Sequence, residues 1–225
     1  MDPLIVANWK CNPNSLAEAK KLFNLIEKGI KNIKNVEVVI CPPFIYLFQL
    51  SGLTLGAQNC FWENKGAFTG EISPLMLKNI GCKYVIIGHS ERRRYFKETC
   101  IMVNKKLKAV LANNLKPILC IDNINQVKRA LKGISKKEVK KIVIAYEPIF
   151  AIGTGKVCSI SKAKKMNFSI KKILGETAAI LYGGSVNSKN AKDFIEKAEF
   201  QGLLIGKASL NPKEFVKIIK KVSQA

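Results

Sequence analysis

Eight short apolar runs punctuate the chain, at residues 4–7, 36–41, 55–58, 82–87, 116–120, 141–146, 178–182 and 202–206. They are rich in Val, Ile and Leu, and most lack the polar alternation of a half-exposed strand. Runs of that kind are strands covered on both faces, as in a parallel sheet. Between them fall stretches of helical periodicity. The clearest is Leu16, Ala19, Leu22, Phe23, Ile26 and Ile30, with Ser15 and Glu18 placed as a capping box. Ser73-Pro74 and Asn211-Pro212 set a capping side chain ahead of a proline suited to the first helical position. Further helices are predicted over 98–112, 161–174 and 191–198, with short ones over 44–50 and 127–131. Strand and helix alternating eight times predict an α/β fold: one domain over 1–225, a (β/α)8 barrel of eight parallel strands ringed by helices. At 225 residues and 48% hydrophobic content, the chain is large enough to bury one such core.

Bulk properties narrow the function. No apolar run approaches the roughly 20 residues that span a bilayer, and the N-terminus lacks a basic segment followed by a small-residue cleavage site, so a cytosolic protein without a membrane partner is expected. The seven cysteines are widely spaced with no Cys-x-x-Cys, and the single His89 cannot complete a Cys/His zinc cluster. Reduced thiols are expected, with Cys41 and Cys120 as small buried hydrophobes. The net charge of +22 comes almost wholly from lysines spread along the chain, Arg occurring only at Arg92, Arg93, Arg94 and Arg129. Spread lysine without nucleic-acid motifs reads as solvated helix faces, so no specific nucleic-acid partner is predicted. The charge would still draw in small anions, an effect that salt weakens.

In such barrels the active site forms at the C-terminal ends of the strands. That rule places Asn8 and Lys10 after the first strand, His89 and Glu91 after the fourth, Glu147 after the sixth, Gly183, Gly184 and Ser185 after the seventh and Gly206 after the eighth. A carboxylate, an imidazole and a lysine without a metal-ligand set suit proton transfer beside a carbonyl. Glu147 would be the base, His89 the donor to the carbonyl oxygen, and Lys10 the counter-charge; neither metal nor cofactor is called for. The glycines would let backbone N–H groups approach a phosphate. Each feature also has a plainer reading: Glu147 solvated on a surface loop, His89 structural, Gly183-Gly184 a tight turn. After Glu147, Pro148 stops the strand and Gly153 and Gly155 give backbone freedom, so a mobile loop is expected, in which Thr154 could meet an anion.

Taken together, Asn8-Trp9-Lys10, the run from Gly88 to Arg93, Tyr146-Glu147-Pro148, the run from Ala151 to Lys156 and the run from Tyr182 to Ser185 resemble the triosephosphate isomerase family, in order and along the whole chain. The resemblance implies the family's TIM barrel. It implies the conversion of dihydroxyacetone phosphate to D-glyceraldehyde 3-phosphate through an enediol(ate), with Glu147 moving the proton. His89, Asn8 and Lys10 would stabilise the oxygens, with Glu91 in support near Lys10. Phosphate would be held by Gly153, Ser185, Gly183, Gly184, Gly206 and Lys207, under a lid comprising Pro148, Ile149, Phe150, Ala151, Ile152, Thr154, Gly155 and Lys156. Ile152 and Leu204 would press on the base. The family's dimer would bring Thr69, in the long loop over residues 59–72, to the partner's Asn8–Lys10 loop, with Cys11 near the interface.

The chain departs from the family pattern at four points: its length, Phe150 for the usual Trp, Lys207 for a second glycine, and Asp122-Asn123 for Gly-Glu. A positive φ at Lys207 would cost about 1 kcal/mol or more. Another phosphate-binding barrel isomerase would share the glycines but not the other motifs. A basic nucleic-acid-binding protein would explain the charge but not the mouth.

Overall fold

The computed structural model describes residues 2–151 and 157–225. The first half runs β1 Leu4–Asn8, α1 Leu16–Ile30, β2 Glu37–Cys41, α2 Phe44–Leu47, β3 Thr54–Ala57, α3 Pro74–Asn79, β4 Tyr84–Ile87, α4 Ser90–Tyr95 and α5 Cys100–Ala112. The second runs β5 Lys116–Ile121, α6 Ile124–Ala130, α7 Lys136–Val139, β6 Val143–Tyr146, α8 Ile160–Leu174, β7 Ile180–Tyr182, α9 Ala191–Glu196, β8 Gly202–Ile205 and α10 Pro212–Val222. Two 3-10 turns, Ile149–Ala151 and Lys207–Leu210, follow β6 and β8.

The eight strands pair in sequence order, all parallel, and β8 returns to β1 in the register Leu4↔Gly202 to close the barrel. The architecture is the predicted TIM barrel. Alternate side chains face opposite ways along each strand. Leu4, Val6, Tyr84, Ile86, Ile118 and Cys120 therefore fill the interior, while Ile5, Ala7, Val85, Ile87 and Leu119 pack outward against the helices. Tyr84 carries a hydroxyl into that interior. It is satisfied at the N-terminal end, where the hydroxyl donates to Glu37 Oε1 at 2.8 Å and accepts from Lys116 Nζ at 3.3 Å.

Element ends follow local chemistry. Ser15, Ser73, Thr99, Ser159 and Asn211 each accept a backbone N–H at a helix start. The sequence pattern starts the sixth strand at Lys141, yet β6 begins at Val143. A capping box between Ser135 and Glu138 starts α7, and the amides of Lys141 and Ile142 turn back onto its carbonyls. The helix expected from residue 98 begins at Cys100, because Thr99 is its cap. α4 forms directly after His89, which is its N-cap.

Glu98 instead enters a buried ionic cluster. Its carboxylate takes Arg92 Nε at 3.1 Å and pairs with Lys106, whose Nζ also donates to Asn59 Oδ1 at 2.8 Å. The cluster ties α4 and α5 to the start of the 59–72 loop. Removing one partner strands a buried charge, so Glu98→Gln should lose about 3–5 kcal/mol in urea unfolding. Adding Lys106→Met should recover part of that loss; full stability in the single variant would show that the cluster carries no weight.

Candidate active site

β1, β4, β6, β7 and β8 deliver their C-terminal residues to one mouth. A cavity of about 630 Å³ there is bordered by Asn8, Lys10, His89 and Glu147 on one side and by Gly183, Gly184, Ser185, Gly206 and Lys207 on the other. Glu91 stands behind this group, in the wall of a second cavity of about 530 Å³ that also touches Glu147.

Glu147 is 2% exposed, which disposes of the solvated-loop reading. Its Oε1 lies 3.0 Å from His89 Nε2, its Oε2 accepts Ser90 N–H at 2.9 Å, and its own amide donates to Ile121 O at 2.7 Å. Burial pushes this carboxyl up, but the His89 ring and the Ser90 N–H outweigh burial and hold it below its ordinary value of 4.5. The adjacent Cys120 thiol is pushed well up, by burial first and then by the carboxylate, so it stays neutral.

His89 caps α4, and its Nδ1 accepts Glu91 N–H at 3.2 Å. An acceptor at Nδ1 leaves the proton on Nε2, pointing at Glu147. Burial opposes the imidazolium, but the Glu147 and Glu91 carboxylates outweigh it and raise the ring above its ordinary 6.5, so charge alone favours protonation and the geometry opposes it. An imidazolium would set its Nδ1 proton against the Glu91 amide hydrogen, and this occupied acceptor position decides for the neutral ring.

Lys10 occupies the left-handed region, φ 54°, which costs a residue with a Cβ about 1–2 kcal/mol. Three contacts offset that strain. Asn8 Oδ1 accepts the Lys10 amide at 3.1 Å, Gln58 Nε2 donates to Lys10 O at 2.8 Å, and Lys10 Nζ reaches Glu91 Oε1 at 2.6 Å. Gln58 also donates to Cys41 O at 2.9 Å, joining the ends of β2 and the Lys10 loop. The sequence reading passed over Gln58, although its place after β3 is the same signal that singled out the others.

A Cβ on Gly184 would sit 2.2 Å from the Tyr182 hydroxyl, so that position requires glycine by close approach, and a Cβ on Gly183 would sit 3.0 Å from Glu147 Cγ and press on that side chain. Ser185 Oγ donates to Ala151 O at 2.6 Å. Lys207 opens a 3-10 turn and is absent from the residues with positive φ, so the strain anticipated there does not arise.

Pro148, Ile149, Phe150 and Ala151 lead away from Glu147, with Ala151 N–H donating to Pro148 O at 2.7 Å and Lys162 Nζ 4.5 Å from the Phe150 ring centre. Ile152, Gly153, Thr154, Gly155 and Lys156 lie outside the described residues. Leu204 borders the mouth. Thr69 and Cys11 are exposed, outside the mouth. Asn123 caps α6, accepting the amides of Asn125 and Gln126, which gives that departure a structural role. No cluster of potential metal ligands occurs among the described residues.

Residues 3–222 match the family model described as triosephosphate isomerase. The chain is similar to the triosephosphate isomerase of Dictyoglomus turgidum, 43% identical over 245 aligned positions that cover 96% of this chain and 98% of the relative. It is 42% identical to that of Caldanaerobacter subterraneus, with coverage of 96% and 98%. The Endomicrobium trichonymphae protein is 41% identical, with coverage of 97% and 98%.

A depressed carboxyl makes a pH prediction whose sign is fixed. The stability it contributes is complete above the ordinary 4.5 and is lost as pH falls through the lower native value. Acid titration of urea stability should therefore fall more steeply in the wild type than in Glu147→Gln; equal slopes would contradict the assignment.

Proposed function

The chain belongs to the triosephosphate isomerase family, and we propose that its Glu147 carries the proton that interconverts dihydroxyacetone phosphate and D-glyceraldehyde 3-phosphate. The reading rests on one observation above all. A buried carboxylate lies 3.0 Å from an imidazole whose other nitrogen is occupied by a backbone N–H.

Held by hydrogen bonds from His89 and Ser90, Glu147 is a weak base. A substrate whose oxygen takes over His89 Nε2–H releases one of them, and turning the carboxylate toward the substrate carbon releases the Ser90 bond. A carboxylate stripped of donors in a dry site binds a proton more tightly. Glu147 then removes a proton from the carbon beside the carbonyl. His89 Nε2–H, the Lys10 ammonium and the Asn8 amide stabilise the enediol(ate) oxygens, and Glu147 returns the proton to the neighbouring carbon. No redox change occurs, and neither metal nor cofactor enters the scheme. Glu91 holds Lys10 and supplies the amide that fixes the His89 tautomer.

The phosphate is assigned to the far side of the mouth, lined by Gly183, where backbone N–H groups of Gly184, Gly206 and Lys207 and the Ser185 hydroxyl can converge on it, the Gly183 N–H being engaged by Tyr146 O at 2.8 Å. Gly153 and the rest of the 148–156 segment are assigned to a lid, with Ile152 and Leu204 excluding water from the base. The enzyme is assigned to sugar-phosphate metabolism in the cytoplasm, in glycolysis and gluconeogenesis; among the described residues no helix is long and apolar enough to cross a membrane.

A homodimer is part of the proposal. Ile45, Phe48, Phe68, Met76, Phe96 and Ile101 are all more than one-third exposed, and all lie between β2 and β5, on one side of the ring. So much apolar surface on one side fits a covered face. Thr69 would cross to the partner's Lys10 loop, near Cys11.

A coupled assay with glyceraldehyde 3-phosphate tests the chemistry. Fast turnover is expected, falling roughly 100- to 10,000-fold in Glu147→Gln. An inactive folded wild type, or an unimpaired variant, would sink the reading. Alkylation of Cys11 should shift the protein from dimer to monomer by sedimentation and lower its activity, with Cys11→Ser resistant; confirmed modification that changes neither would refute the interface assignment.

A further inference from the structure

The motif that carries His89 ends in three consecutive arginines whose surroundings differ. Arg92 pairs with Glu98, and Arg94 lies 5.2 Å from the Tyr95 ring centre. Arg93 alone turns back to the strand ends. Its Nε donates to Gly88 O at 2.7 Å and its Nη2 to Cys120 O at 3.2 Å. Nε and Nη2 lie along one edge of the planar guanidinium, which therefore spans two carbonyls at a fixed separation.

Those carbonyls are one step beyond Ile87↔Leu119, the last paired rung between β4 and β5. The guanidinium edge thus continues the ladder where the main chains part. Each carbonyl also belongs to a rigid peptide plane. The Gly88 plane includes the His89 amide nitrogen, so fixing that carbonyl fixes where His89 leaves β4. The Cys120 plane includes the amide of Ile121, whose carbonyl accepts Glu147 N–H at 2.7 Å. One side chain is therefore bonded to the backbone on both sides of the acid–base pair. Gly88 is shaped for this contact: it has φ 71°, and a Cβ there would lie 2.7 Å from Arg93 Nη2.

We infer that Arg93 is a positioning residue for the reaction: its guanidinium edge clamps the Gly88 and Cys120 carbonyls and so sets the spacing between His89 and Glu147. The inference rests on the isomerase reading above. Lysine at this position would keep the charge but offers a single ammonium centre in place of a planar fork, so charge and geometry are separable.

The test measures kcat and KM for wild type, Arg93→Lys, Arg93→Ala and Glu147→Gln, with folding followed by urea denaturation. A misplaced acid–base pair should cost Arg93→Ala and Arg93→Lys about 10- to 100-fold in kcat with KM changed much less. The space vacated in Arg93→Ala opens on the cavity of about 530 Å³ that borders Arg93, Gly88 and Cys120. Millimolar guanidinium, well below denaturing levels, should therefore restore kcat several-fold in Arg93→Ala, while sodium chloride of equal ionic strength and wild-type or Glu147→Gln controls show no gain. If Arg93→Ala does not fold, Arg93→Lys carries the test alone. Wild-type kcat in Arg93→Lys, or a folded Arg93→Ala that guanidinium leaves unrescued, overturns the inference. An inactive wild type, or an unimpaired Glu147→Gln, overturns the isomerase reading itself.

Discussion

The bond between Glu147 and His89 is the contact on which the mouth depends, because it joins two groups that burial would otherwise penalise. A carboxylate without partners inside the barrel rim would take up a proton. Here the His89 ring and the Ser90 amide keep it ionised, and the Glu91 amide keeps the ring in the tautomer that can donate. The same short helix provides both amides. α4 therefore sets the tautomer, the orientation and the charge state of the pair within its first turn.

This arrangement also stores the means of its own rearrangement. Every donor to Glu147 is one that a substrate oxygen or a rotation of the carboxylate can replace, so a group held weakly basic at rest becomes more basic in the proposed reaction. Lys10 adds a second reservoir. Its left-handed backbone is unfavourable, yet the Asn8, Gln58 and Glu91 contacts hold it with the ammonium beside the mouth. Asn8 and Lys10 share the end of β1, whereas Gln58 follows β3 and Glu91 follows β4, so the curvature of the barrel is what brings the last two to Lys10.

Strand and helix identities were legible in the sequence because each apolar run or helical face announces its own burial. Boundaries shifted where a local cap intervened, as Ser135 and Glu138 did ahead of β6 and Thr99 ahead of α5. Gathering Asn8, Lys10, His89, Glu147 and the glycines at one mouth needed only the rule that barrel sites form at strand C-termini. Gln58 obeyed the same rule and was missed because its amide serves two backbone carbonyls, Lys10 O and Cys41 O, a role that only the folded chain displays. Arg93 was inconspicuous for another reason: within a run of three arginines, spacing gives no sign of which one turns inward.

The sequence by itself determined the barrel, since eight doubly covered strands joined by helices have one closed parallel solution, and it determined which residue types stand at the strand ends. Only the tertiary structure decided the state of those residues. Burial to 2% turned Glu147 from a loop carboxylate into a held anion, and the Glu91 amide chose the His89 tautomer. The backbone at Lys207 avoided the strained region that a glycine comparison suggested. Such properties depend on distances between residues remote in the chain, and desolvation and hydrogen bonding exist only once the fold has brought them together.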